Sequence, residues 1–346
     1  MREPSFWWGE ACLASALLAP LAAIYGAVAQ ARLGGRGRHA GAPVVCIGNL
    51  TVGGAGKTPT ALVVATMLAA AGERPIFLSR GYGGRLVGPV LVDPARHGAH
   101  DVGDEPLLLA RTAPTIVARD RVKGAAIAAG ASAIVMDDGF HNPSLVKDFS
   151  LLVVDARRGI GNGRVIPAGP LRAPLDAQLT RAHALVVVET SLRAAAVAAA
   201  ARARDIPVLQ ARLRADAAFI AGLGGARVLA FAGIGDPEKF FLTLADAGVA
   251  VAARRSFPDH HRYTRAQAKA LCEEAARAGL VLVTTEKDLV RLGGADEAEE
   301  LAAQARALPV TLAFEDEERF KSLLLERLAA ARKTNDGRGR WTGEKA

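Results

Sequence analysis

From residue 43 onwards, short runs of β-branched and aliphatic residues alternate with longer runs rich in Ala and Leu. The short runs predict strands, which cover residues 44–47, 75–78, 90–92, 115–118, 133–136, 151–154 and 184–188. Three of the longer runs predict helices, over residues 58–71, 105–110 and 122–129. This alternation is typical of an α/β fold with a mostly parallel sheet and flanking helices, which binds ligands at the carboxyl ends of its strands.

A second series of apolar runs begins near residue 227 and predicts a smaller C-terminal α/β lobe. Its predicted strands and helices cover residues 228–232, 240–247, 266–278, 281–284 and 310–313. The Ala- and Arg-rich helix predicted over residues 194–204 is expected to connect the two parts. The predicted divisions are an N-terminal helix with a basic linker (1–42), a main α/β domain (43–205), the C-terminal lobe (206–332) and a flexible tail (333–346).

The segment before this alternation contains an apolar run, residues 11–29, with no charged side chain. As a helix it would be about 28 Å long, close to the thickness of the hydrocarbon core of a bilayer. Trp7, Trp8 and Tyr25 are suited to the membrane interfaces. We therefore expect an N-terminal membrane-associated helix.

The charges that flank this run predict its orientation. Arg32, Arg36 and Arg38 follow it without an acidic residue, so the positive-inside rule places the main body in the cytoplasm. Two other interpretations remain open. One is a signal peptide cleaved after the small residues 27–29, and the other is a helix lying in the interface, because Pro20 interrupts the run.

The composition is that of a globular protein with a bias toward apolar residues, since 51% of the 346 residues are hydrophobic and 23% are charged. The net charge of +8 favours anionic partners such as phosphates or an acidic lipid surface, although an Arg- and Ala-rich genome would produce the same excess. Cys12, Cys46 and Cys272 share no metal-ligand or CxxC spacing. They argue for a reducing compartment and against disulfides and structural zinc.

A glycine-rich turn lies between the first predicted strand and the first predicted helix, and it consists of Thr51, Val52, Gly53, Gly54, Ala55, Gly56, Lys57 and Thr58. Backbone N–H groups and a helix N-terminus point at one spot in such a turn and can hold phosphate. The P-loop pattern GxxxxGK(S/T) assigns Lys57 to the β- and γ-phosphates and Thr58 to Mg²⁺. Thr51 stands where the first Gly of that pattern belongs, so an ordinary strand-to-helix loop remains the alternative.

Two carboxylates, Asp137 and Asp138, follow the strand predicted at residues 133–136. An acidic residue at the end of a neighbouring strand helps to hold Mg²⁺ in P-loop enzymes, so one of the two is a metal-site candidate. The alternative is a solvated Asp-Asp-Gly turn. Asp104 and Glu105 fall on the first turn of another predicted helix, where helix capping explains Asp104 without a catalytic role.

Three loops carry further candidate residues. His260 follows a carboxylate in a loop, where a neutral imidazole can accept or relay a proton. Arg80 and Tyr82 follow a predicted strand, at the sheet edge where an anionic or sugar-bearing substrate would bind. A glycine- and proline-rich loop ends in Arg172. Each loop is also explained by turn formation alone.

Together these motifs resemble one family, the tetraacyldisaccharide 4'-kinases, which are the lipid A 4'-kinases of Gram-negative bacteria. The matching segments are GNLTVGGAGKTP (48–59), SRGYGG (79–84), GDEP (103–106), DDG (137–139), GNG and PAGPLR (161–172), AGIGDPEKFF (232–241), DH (259–260) and TEKD (285–288). They occur in one consistent order and cover nearly the whole chain after the N-terminal segment. The family carries Thr at the position of Thr51.

The resemblance implies a P-loop NTPase-like kinase at the cytoplasmic face of the bacterial inner membrane. This kinase transfers the γ-phosphate of ATP to the 4'-hydroxyl of a tetraacyldisaccharide 1-phosphate and forms lipid IVA. The resemblance implies ATP and Mg²⁺ as cofactors and the acylated glucosamine disaccharide and the lipid surface as partners, with neither a nucleic acid nor an oligomer. The implied site residues are Asp104, His260 and Lys57 for catalysis; residues 51–58 for ATP; Thr58, Glu105, Asp137 and Asp138 for Mg²⁺; and Arg80, Tyr82, Arg121, His141 and Arg172 for the substrate.

Two departures from the family pattern are present. The family sequence DDGxQH reads here as DDGFHN, which places His141 and Asn142 at its last two positions. The acidic residue that usually follows the arginine of PAGPxR is Ala173 in this chain.

Two other functions compete with the lipid kinase. A guanine-specific P-loop switch would carry an N/T-K-x-D loop, and the segment TEKD (285–288) has the wrong spacing. A soluble small-molecule kinase, whose N-terminal segment is a buried core helix, would stay out of the membrane fraction.

Overall fold

The computed structural model describes residues 3–293 and 296–336. Thirteen strands lie in this part of the chain: β1 (Val44–Asn49), β2 (Pro75–Ser79), β3 (Val90–Leu91), β4 (Thr115–Val117), β5 (Ala133–Asp137), β6 (Phe149–Asp155), β7 (Ala184–Val188), β8 (Val208–Ala215), β9 (Val228–Ala232), β10 (Val251–Ser256), β11 (Val281–Thr285), β12 (Arg306–Leu308) and β13 (Val310–Phe314). The α-helices within the same residues are α1 (Leu13–Leu17), α2 (Ala19–Leu33), α3 (Lys57–Ala70), α4 (Ala99–Val102), α5 (Asp104–Leu109), α6 (Arg121–Ala126), α7 (Leu175–Leu179), α8 (Ala195–Arg202), α9 (Ala217–Ala221), α10 (Pro237–Asp246), α11 (Arg265–Ala278), α12 (Glu286–Leu292), α13 (Glu299–Gln304) and α14 (Glu317–Asp336).

Nine strands form one large sheet with the order β13-β8-β7-β6-β1-β5-β2-β4-β3. Neighbouring strands from β8 to β4 are parallel, and the edge strands β13 and β3 run antiparallel to their neighbours. A parallel sheet is covered on both faces, which explains why every residue of β1, β5, β6 and β7 is buried. The predicted α/β fold with a mostly parallel sheet is confirmed.

Alternating side chains of the strands enter two apolar layers, one on each face of the large sheet. Cys46 of β1 belongs to the layer that includes Leu33 of α2. Ile47 is the next residue of β1 and faces the other way. It belongs to the layer that includes Leu68 of α3. Helices α2 and α3 therefore lie on opposite faces of the sheet.

The ends of the central strands determine where a ligand can bind. Strand β1 lies between β5 and β6, with Ile47 opposite Asp137 and Asn49 opposite Val153. The loops that follow β1 and β5 therefore start side by side at the carboxyl edge. This register brings the glycine-rich turn next to the two predicted carboxylates.

A second, wholly parallel sheet with the order β10-β9-β11-β12 forms a smaller lobe with its own core. The chain enters this lobe after β8 and leaves it before β13, so the lobe is inserted between two strands that pair with each other. The predicted boundary at residue 206 therefore precedes the point where the chain changes sheets, because β8 pairs with β7. Helix α8 connects β7 to β8 instead of joining the lobes, and β13 and α14 pack on the large sheet.

Most predicted strands and helices are present, with ends shifted by a few residues. Strands β8, β10 and β12 were not predicted. Strands β8 and β10 carry arginines at exposed positions, which weakens their apolar pattern, and β12 is very short. Residues 333–336 of the predicted tail are the end of α14, and the rest of that tail lies outside the described residues.

The N-terminal apolar run forms two helices, α1 and α2, so the single helix expected over residues 11–29 is not formed. Pro20 lies in the first turn of α2, where a missing N–H breaks no helical hydrogen bond. Ala22, Gly26 and Leu33 form the buried side of α2. Within residues 3–293 and 296–336, no helix combines the length and the apolar character that crossing a bilayer requires.

Candidate active site

The turn between β1 and α3 has the backbone geometry of an anion cradle. Gly53 and Gly56 have φ angles of 88° and 98°, which residues with a side chain adopt only under strain. Gly56 precedes the first residue of α3 and has no side chain to cap it, so the first N–H groups of the helix face the space above the turn. The side-chain amide of Asn49 donates to Gly53 O over 3.0 Å and fixes the turn.

Thr51, the departure from the P-loop pattern, lies in a short bridge to Leu171. The N–H of Val52 donates to Pro170 O over 3.0 Å, and Nε of Arg172 donates to Thr51 O over 3.1 Å. These bonds attach the start of the turn to the loop that ends in Arg172. The first position of this turn is therefore extended backbone that needs no glycine, and the same pairing places Arg172 beside the turn.

Lys57 and Arg172 share one carboxylate, that of Asp138. Nζ of Lys57 lies 3.8 Å from Oδ1 of Asp138, and Arg172 approaches both oxygens, with Nη1 at 3.0 Å from Oδ1 and Nη2 at 3.5 Å from Oδ2. Burial opposes ionisation, but the charges of Lys57 and Arg172 lower the pKa of Asp138 to about 2. Two cations suited to phosphate are thus held at the turn by Asp138.

Asp137 has the opposite surroundings. It is 2% exposed, and its Oδ1 has no hydrogen-bond partner among the described residues. Burial and the neighbouring Glu105 raise the pKa of Asp137 to about 7. A buried carboxylate oxygen without a donor is costly unless a cation binds it. Of the two adjacent aspartates, Asp137 is therefore the one with an oxygen to offer a metal ion.

The other predicted metal ligands are Thr58 and Glu105. Thr58 is buried at the start of α3, and Oε1 of Glu105 accepts a 2.6 Å hydrogen bond from Lys287. Burial would raise the pKa of Glu105, but the charge of Lys287 lowers it. In the described part of the chain, no three His, Cys, Asp or Glu side chains form a metal site by themselves. Mg²⁺ in kinases needs only one or two carboxylates, because phosphate and water oxygens complete its shell, and Asp137 with Thr58 fits that requirement.

Asp104 and His260 come together from different lobes. Nδ1 of His260 lies 3.4 Å from Oδ2 of Asp104, and this hydrogen bond is the main reason that the pKa of His260 is raised. Burial would raise the pKa of Asp104, but His260 and Arg291 hold it far below its ordinary value. Asp104 is 3% exposed, so it contacts His260 from the interior of the protein.

Tyr82 lies close to this pair, and Arg80 and Arg121 line the same cavity. The ring of Tyr82 is 5.0 Å from the ring of His260, and Tyr82 itself is exposed. Arg121 is buried and donates to Ala118 O, while its Nε has no partner among the described residues. Burial and the nearby charge of Arg80 lower the pKa of Arg121 to about 10. Within the part of the chain that the structure describes, Arg121 therefore lacks the carboxylate partner that a buried arginine usually has.

His141 is held by Gln178, at 2.8 Å between Nε2 and Oε1. The amide group of Gln178 donates to Leu50 O and Ala173 O, so its oxygen accepts and Nε2 of His141 carries the hydrogen. Burial and the charge of Arg172 lower the pKa of His141 to about 4. The imidazole is therefore neutral, and its substrate contact stays a prediction.

An open cavity of about 800 Å³ lies where the two lobes meet. Residues 52–58 of the turn line it together with Arg80, Tyr82, Glu105, Arg121, Asp137, Asp138, His141, Arg172 and His260. Of the predicted site residues, Thr51 and Asp104 are the two that do not face it. Tyr25, Val28 and Arg32 of α2 line the cavity as well, so one space connects the phosphate turn to the N-terminal helix.

Comparison with known proteins identifies the family. A family model described as LpxK, tetraacyldisaccharide-1-P 4'-kinase, matches residues 14–329. The chain belongs to the tetraacyldisaccharide-1-P 4'-kinase family. The family resemblance inferred from the motifs is confirmed.

Individual members of the family match over most of their length. The tetraacyldisaccharide 4'-kinase of Rhodopseudomonas palustris (strain BisA53) is 55% identical over 334 residues, which cover 96% of this chain and 97% of that protein. The Nitrobacter hamburgensis kinase of the same name is 54% identical over 335 residues, 96% of this chain and 100% of that protein. A crystal structure of LpxK from Aquifex aeolicus in complex with ATP has a TM-score of 0.70 at 26% identity, and the match covers 91% of this chain and 99% of that one.

Several residues at the site were not predicted, and all of them pair across the lobes. Lys287 contacts Glu105, Arg291 contacts Asp104, and Nζ of Lys239 lies 2.7 Å from Asp155. Lys239 and Lys287 occur in the family segments AGIGDPEKFF and TEKD, but these segments do not indicate which residue each lysine contacts. Arg291 occurs in none of the matching segments.

Proposed function

We propose that this chain transfers the γ-phosphate of ATP to the 4'-hydroxyl of a tetraacyldisaccharide 1-phosphate and so forms lipid IVA. Family membership supports the reaction. The observation that carries the assignment of the site is the single cavity that connects the phosphate turn, His260 and helix α2. These three parts supply a nucleotide site, a proton acceptor and a surface for an acylated substrate.

The nucleotide would place its triphosphate on the glycine-rich turn. Lys57 and Arg172 would offset the charge that develops on the transferring phosphoryl group. The adenine ring of ATP would contact the apolar side chains that line the cavity between the lobes, which are Leu62, Leu213, Ile234, Phe240 and Val310. Leu62 and Leu213 belong to the α3 face of the large sheet, and Ile234, Phe240 and Val310 pack in the core of the smaller lobe, whereas α2 lies on the opposite face of the sheet. That separation supports a nucleotide on one side and a lipid on the other.

Asp137 and Thr58 would hold Mg²⁺, with Asp138 and Glu105 next to them. When bound, Mg²⁺ neutralises charge on the phosphates. The unpartnered Oδ1 of Asp137 supports this assignment. Asp138 is more strongly engaged with Lys57 and Arg172, so it would orient these cations.

His260 would accept the proton of the 4'-hydroxyl as the hydroxyl attacks the γ-phosphorus. A sugar hydroxyl is a weak nucleophile, and an oriented base typically contributes about 10²- to 10⁴-fold to the rate. His260 lines the cavity and Asp104 does not. This difference supports a division of roles in which His260 touches the substrate and Asp104 orients the imidazole.

The substrate would be held by Arg80, Tyr82 and Arg121. Arginine forms paired hydrogen bonds with phosphate, and no carboxylate of the described residues forms an ion pair with Arg121 that would compete with a phosphate of the lipid. The ring of Tyr82 is tilted by 54° against that of His260 and is exposed, which suits contact with a sugar ring.

The N-terminal helices would lie on the cytoplasmic face of the bacterial inner membrane. Leu13, Leu17, Leu21, Ile24 and Val28 are more than half exposed and recur at intervals of three or four residues, so they form one apolar stripe. Arg32, Arg36 and Arg38 follow the stripe and can contact anionic lipid headgroups. A helix of this kind lies in the interface and would bring an acylated substrate to the cavity beside it.

The reaction is tested by incubating the purified chain with labelled ATP, Mg²⁺ and detergent-dispersed tetraacyldisaccharide 1-phosphate. We expect one labelled phosphate on the lipid, at the 4'-position by NMR, and no transfer by a folded Lys57→Ala variant. Hydrolysis of ATP without labelling of the lipid would instead support the P-loop switch.

A further inference from the structure

Arg291 on α12 of the smaller lobe reaches Asp104 on α5 of the main domain. Its Nε and Nη2 lie 2.8 Å and 2.5 Å from Oδ2 of Asp104. Its Nη1 donates to Gly233 O over 2.6 Å and to Asp288 over 3.0 Å. The side chain is 7% exposed and does not face the cavity. Arg291 therefore makes no direct contact with a ligand in the cavity.

Both oxygens of Asp104 have partners within the protein, and Asp104 does not line the cavity. Oδ1 accepts from the N–H of Glu105 over 3.0 Å, and Oδ2 accepts from Arg291 and faces Nδ1 of His260. Nε2 of His260 lies 3.8 Å from Oδ2 of Asp259, which is about half exposed. The nearer and buried carboxylate of Asp104 therefore favours the hydrogen on Nδ1. The lone pair of the neutral imidazole is then on Nε2.

Arg291 also acts on the backbone of His260. The N–H of His260 donates to Gly233 O over 3.1 Å, which is the same carbonyl that Arg291 contacts. His260 has a φ angle of 55°, a left-handed conformation that costs energy for a residue with a side chain and requires surrounding support. One guanidinium group thus supports both the backbone and the ring of His260.

We propose that Arg291 is a positioning residue for phosphoryl transfer, which fixes Asp104 and Gly233 so that Nε2 of His260 is presented to the 4'-hydroxyl. This proposal rests on the proposed function. The hydroxyl oxygen forms a bond to the γ-phosphorus, its proton moves to Nε2, and the bond from the γ-phosphorus to the β,γ-bridging oxygen breaks, with its electron pair leaving on ADP. Asp104 keeps its negative charge throughout and stabilises the imidazolium that forms.

The competing explanation is that Arg291 only ties the two lobes together. Such a strut would affect ATP binding, because both lobes line the cavity. The chain offers a matched control in Arg111, which follows α5 and also forms an ion pair between the lobes, at 3.6 Å from Glu286 of α12. Arg111 is exposed and, in the described part of the chain, forms no ion pair or hydrogen bond with Asp104. Arg111→Gln removes an inter-lobe ion pair without touching the groups that hold His260.

The test measures kcat and both KM values for Arg291→Gln, Arg291→Lys and Arg111→Gln, with thermal unfolding of each variant. We expect kcat to fall about 10²-fold in Arg291→Gln, as for loss of an oriented base, with KM for ATP and for the lipid nearly unchanged. Arg291→Lys should recover part of kcat, because an ammonium can bond Asp104 but cannot also reach Gly233 O and Asp288. Arg111→Gln should resemble the wild type.

If Arg291→Gln fails to fold, Arg291→Lys decides the question, because it keeps the charge between the two aspartates. A folded lysine variant with the kcat of the wild type would overturn the proposal. A rise in KM for ATP with unchanged kcat would assign Arg291 to the strut instead. Absence of lipid phosphorylation by the wild type would refute the proposed function itself, which is a different result from either.

Discussion

Adjacent residues of one sequence motif can have opposite electrostatic roles, as Asp137 and Asp138 show. Asp138 follows the strand with a φ angle of 50°, and its side chain pairs with Lys57 and Arg172. The charges of these two residues keep it ionised. Asp137 completes β5, is enclosed by the sheet and keeps an oxygen without a donor. The two carboxylates differ because one belongs to the strand and the other to the turn.

The pair of Asp104 and His260 predicts a specific dependence of activity on pH. The hydrogen bond to Asp104 raises the pKa of His260 above its ordinary value, and a base works only when it is unprotonated, so the rate should rise with pH through that raised pKa. Asp104→Asn removes the charge that favours the imidazolium. We expect the midpoint of this rise to move to lower pH while the plateau kcat falls about 10-fold or more, as measured by a pH–rate profile across neutrality.

The neighbouring histidine is the natural control for this measurement. His261 stacks on Phe257 and is bonded to Gln267, and it does not line the cavity. His261→Gln should therefore leave the midpoint of the profile unchanged. An Asp104→Asn enzyme whose profile keeps the wild-type midpoint would show that His260 is not the titrating base.

At the level of residues, the sequence predicts those groups whose chemistry depends on their immediate neighbours. The glycine-rich turn and Asp137 qualify, because a strand followed by a defined turn fixes where they lie. Arg291 does not qualify, since it is 187 residues away from Asp104 in the chain and nothing in its local sequence indicates that partner. Its role comes from the way that the smaller lobe docks.

At the level of elements, helices α1 and α2 carry an apolar stripe that no other described element covers. The exposed fractions are 72% for Leu17, 57% for Leu21 and 66% for Ile24. Introducing a charge at two of these positions, as in Leu21→Glu with Ile24→Glu, should weaken binding to vesicles that contain anionic phospholipid. Both side chains would be buried in the lipid when the helix is bound, and losing that burial corresponds to at least about a 100-fold loss of vesicle affinity. Co-sedimentation measures this affinity.

The control for the stripe is another exposed leucine. Leu192 is 91% exposed and lies outside the N-terminal helices, so Leu192→Glu should leave vesicle binding unchanged. Retained kinase activity of the double variant on detergent-dispersed substrate would show that its fold is intact. Equal sedimentation of the double variant and the wild type would contradict a membrane role for the stripe.

The sequence also predicts ten of the thirteen described strands, and the reasons for the exceptions are physical. Pro20 was recognised as an interruption of the apolar run, and the structure divides that run just before it. Strand β8 was missed because Arg212 and Arg214 occupy alternate positions in its outer half, where β13 covers only one edge. Its place in the large sheet follows from pairing with β7, which local sequence does not encode.

For the whole molecule, the important feature is how the smaller lobe is attached to the large sheet. The chain passes between the two only after β8 and before β13 in the described residues, and ion pairs near the cavity also join them. Glu105 pairs with Lys287, and Asp155 pairs with Lys239. Residues of both lobes line the cavity, so its shape depends on how the lobes are held together. ATP affinity should therefore depend on groups that do not touch the nucleotide.

Asp155 allows this dependence to be tested. It is 3% exposed, does not line the cavity, and lies 2.7 Å from Nζ of Lys239, which does line it. Asp155→Asn keeps the shape but leaves a mostly buried ammonium without its partner, which costs about 3–5 kcal/mol when a buried pair is broken. We expect a lower free energy of unfolding in urea and a raised KM for ATP, with kcat at saturation less affected than in Arg291→Gln.

The pH dependence of this loss gives a second, independent check. Burial would raise the pKa of Asp155, but Lys239 lowers it below its ordinary value. The pair therefore stabilises the fold above the pKa of an unfolded aspartate, and that stabilisation disappears as the pH falls through the lowered value. The difference in stability between wild type and Asp155→Asn should accordingly be largest near neutrality and shrink in acid. The control is Arg254→Gln, which breaks an exposed pair with Glu238 on α10 and should lower the free energy of unfolding by less than about 1 kcal/mol at any pH. Equal losses of unfolding free energy in the two variants would mean that the Asp155–Lys239 pair does not hold the lobes together.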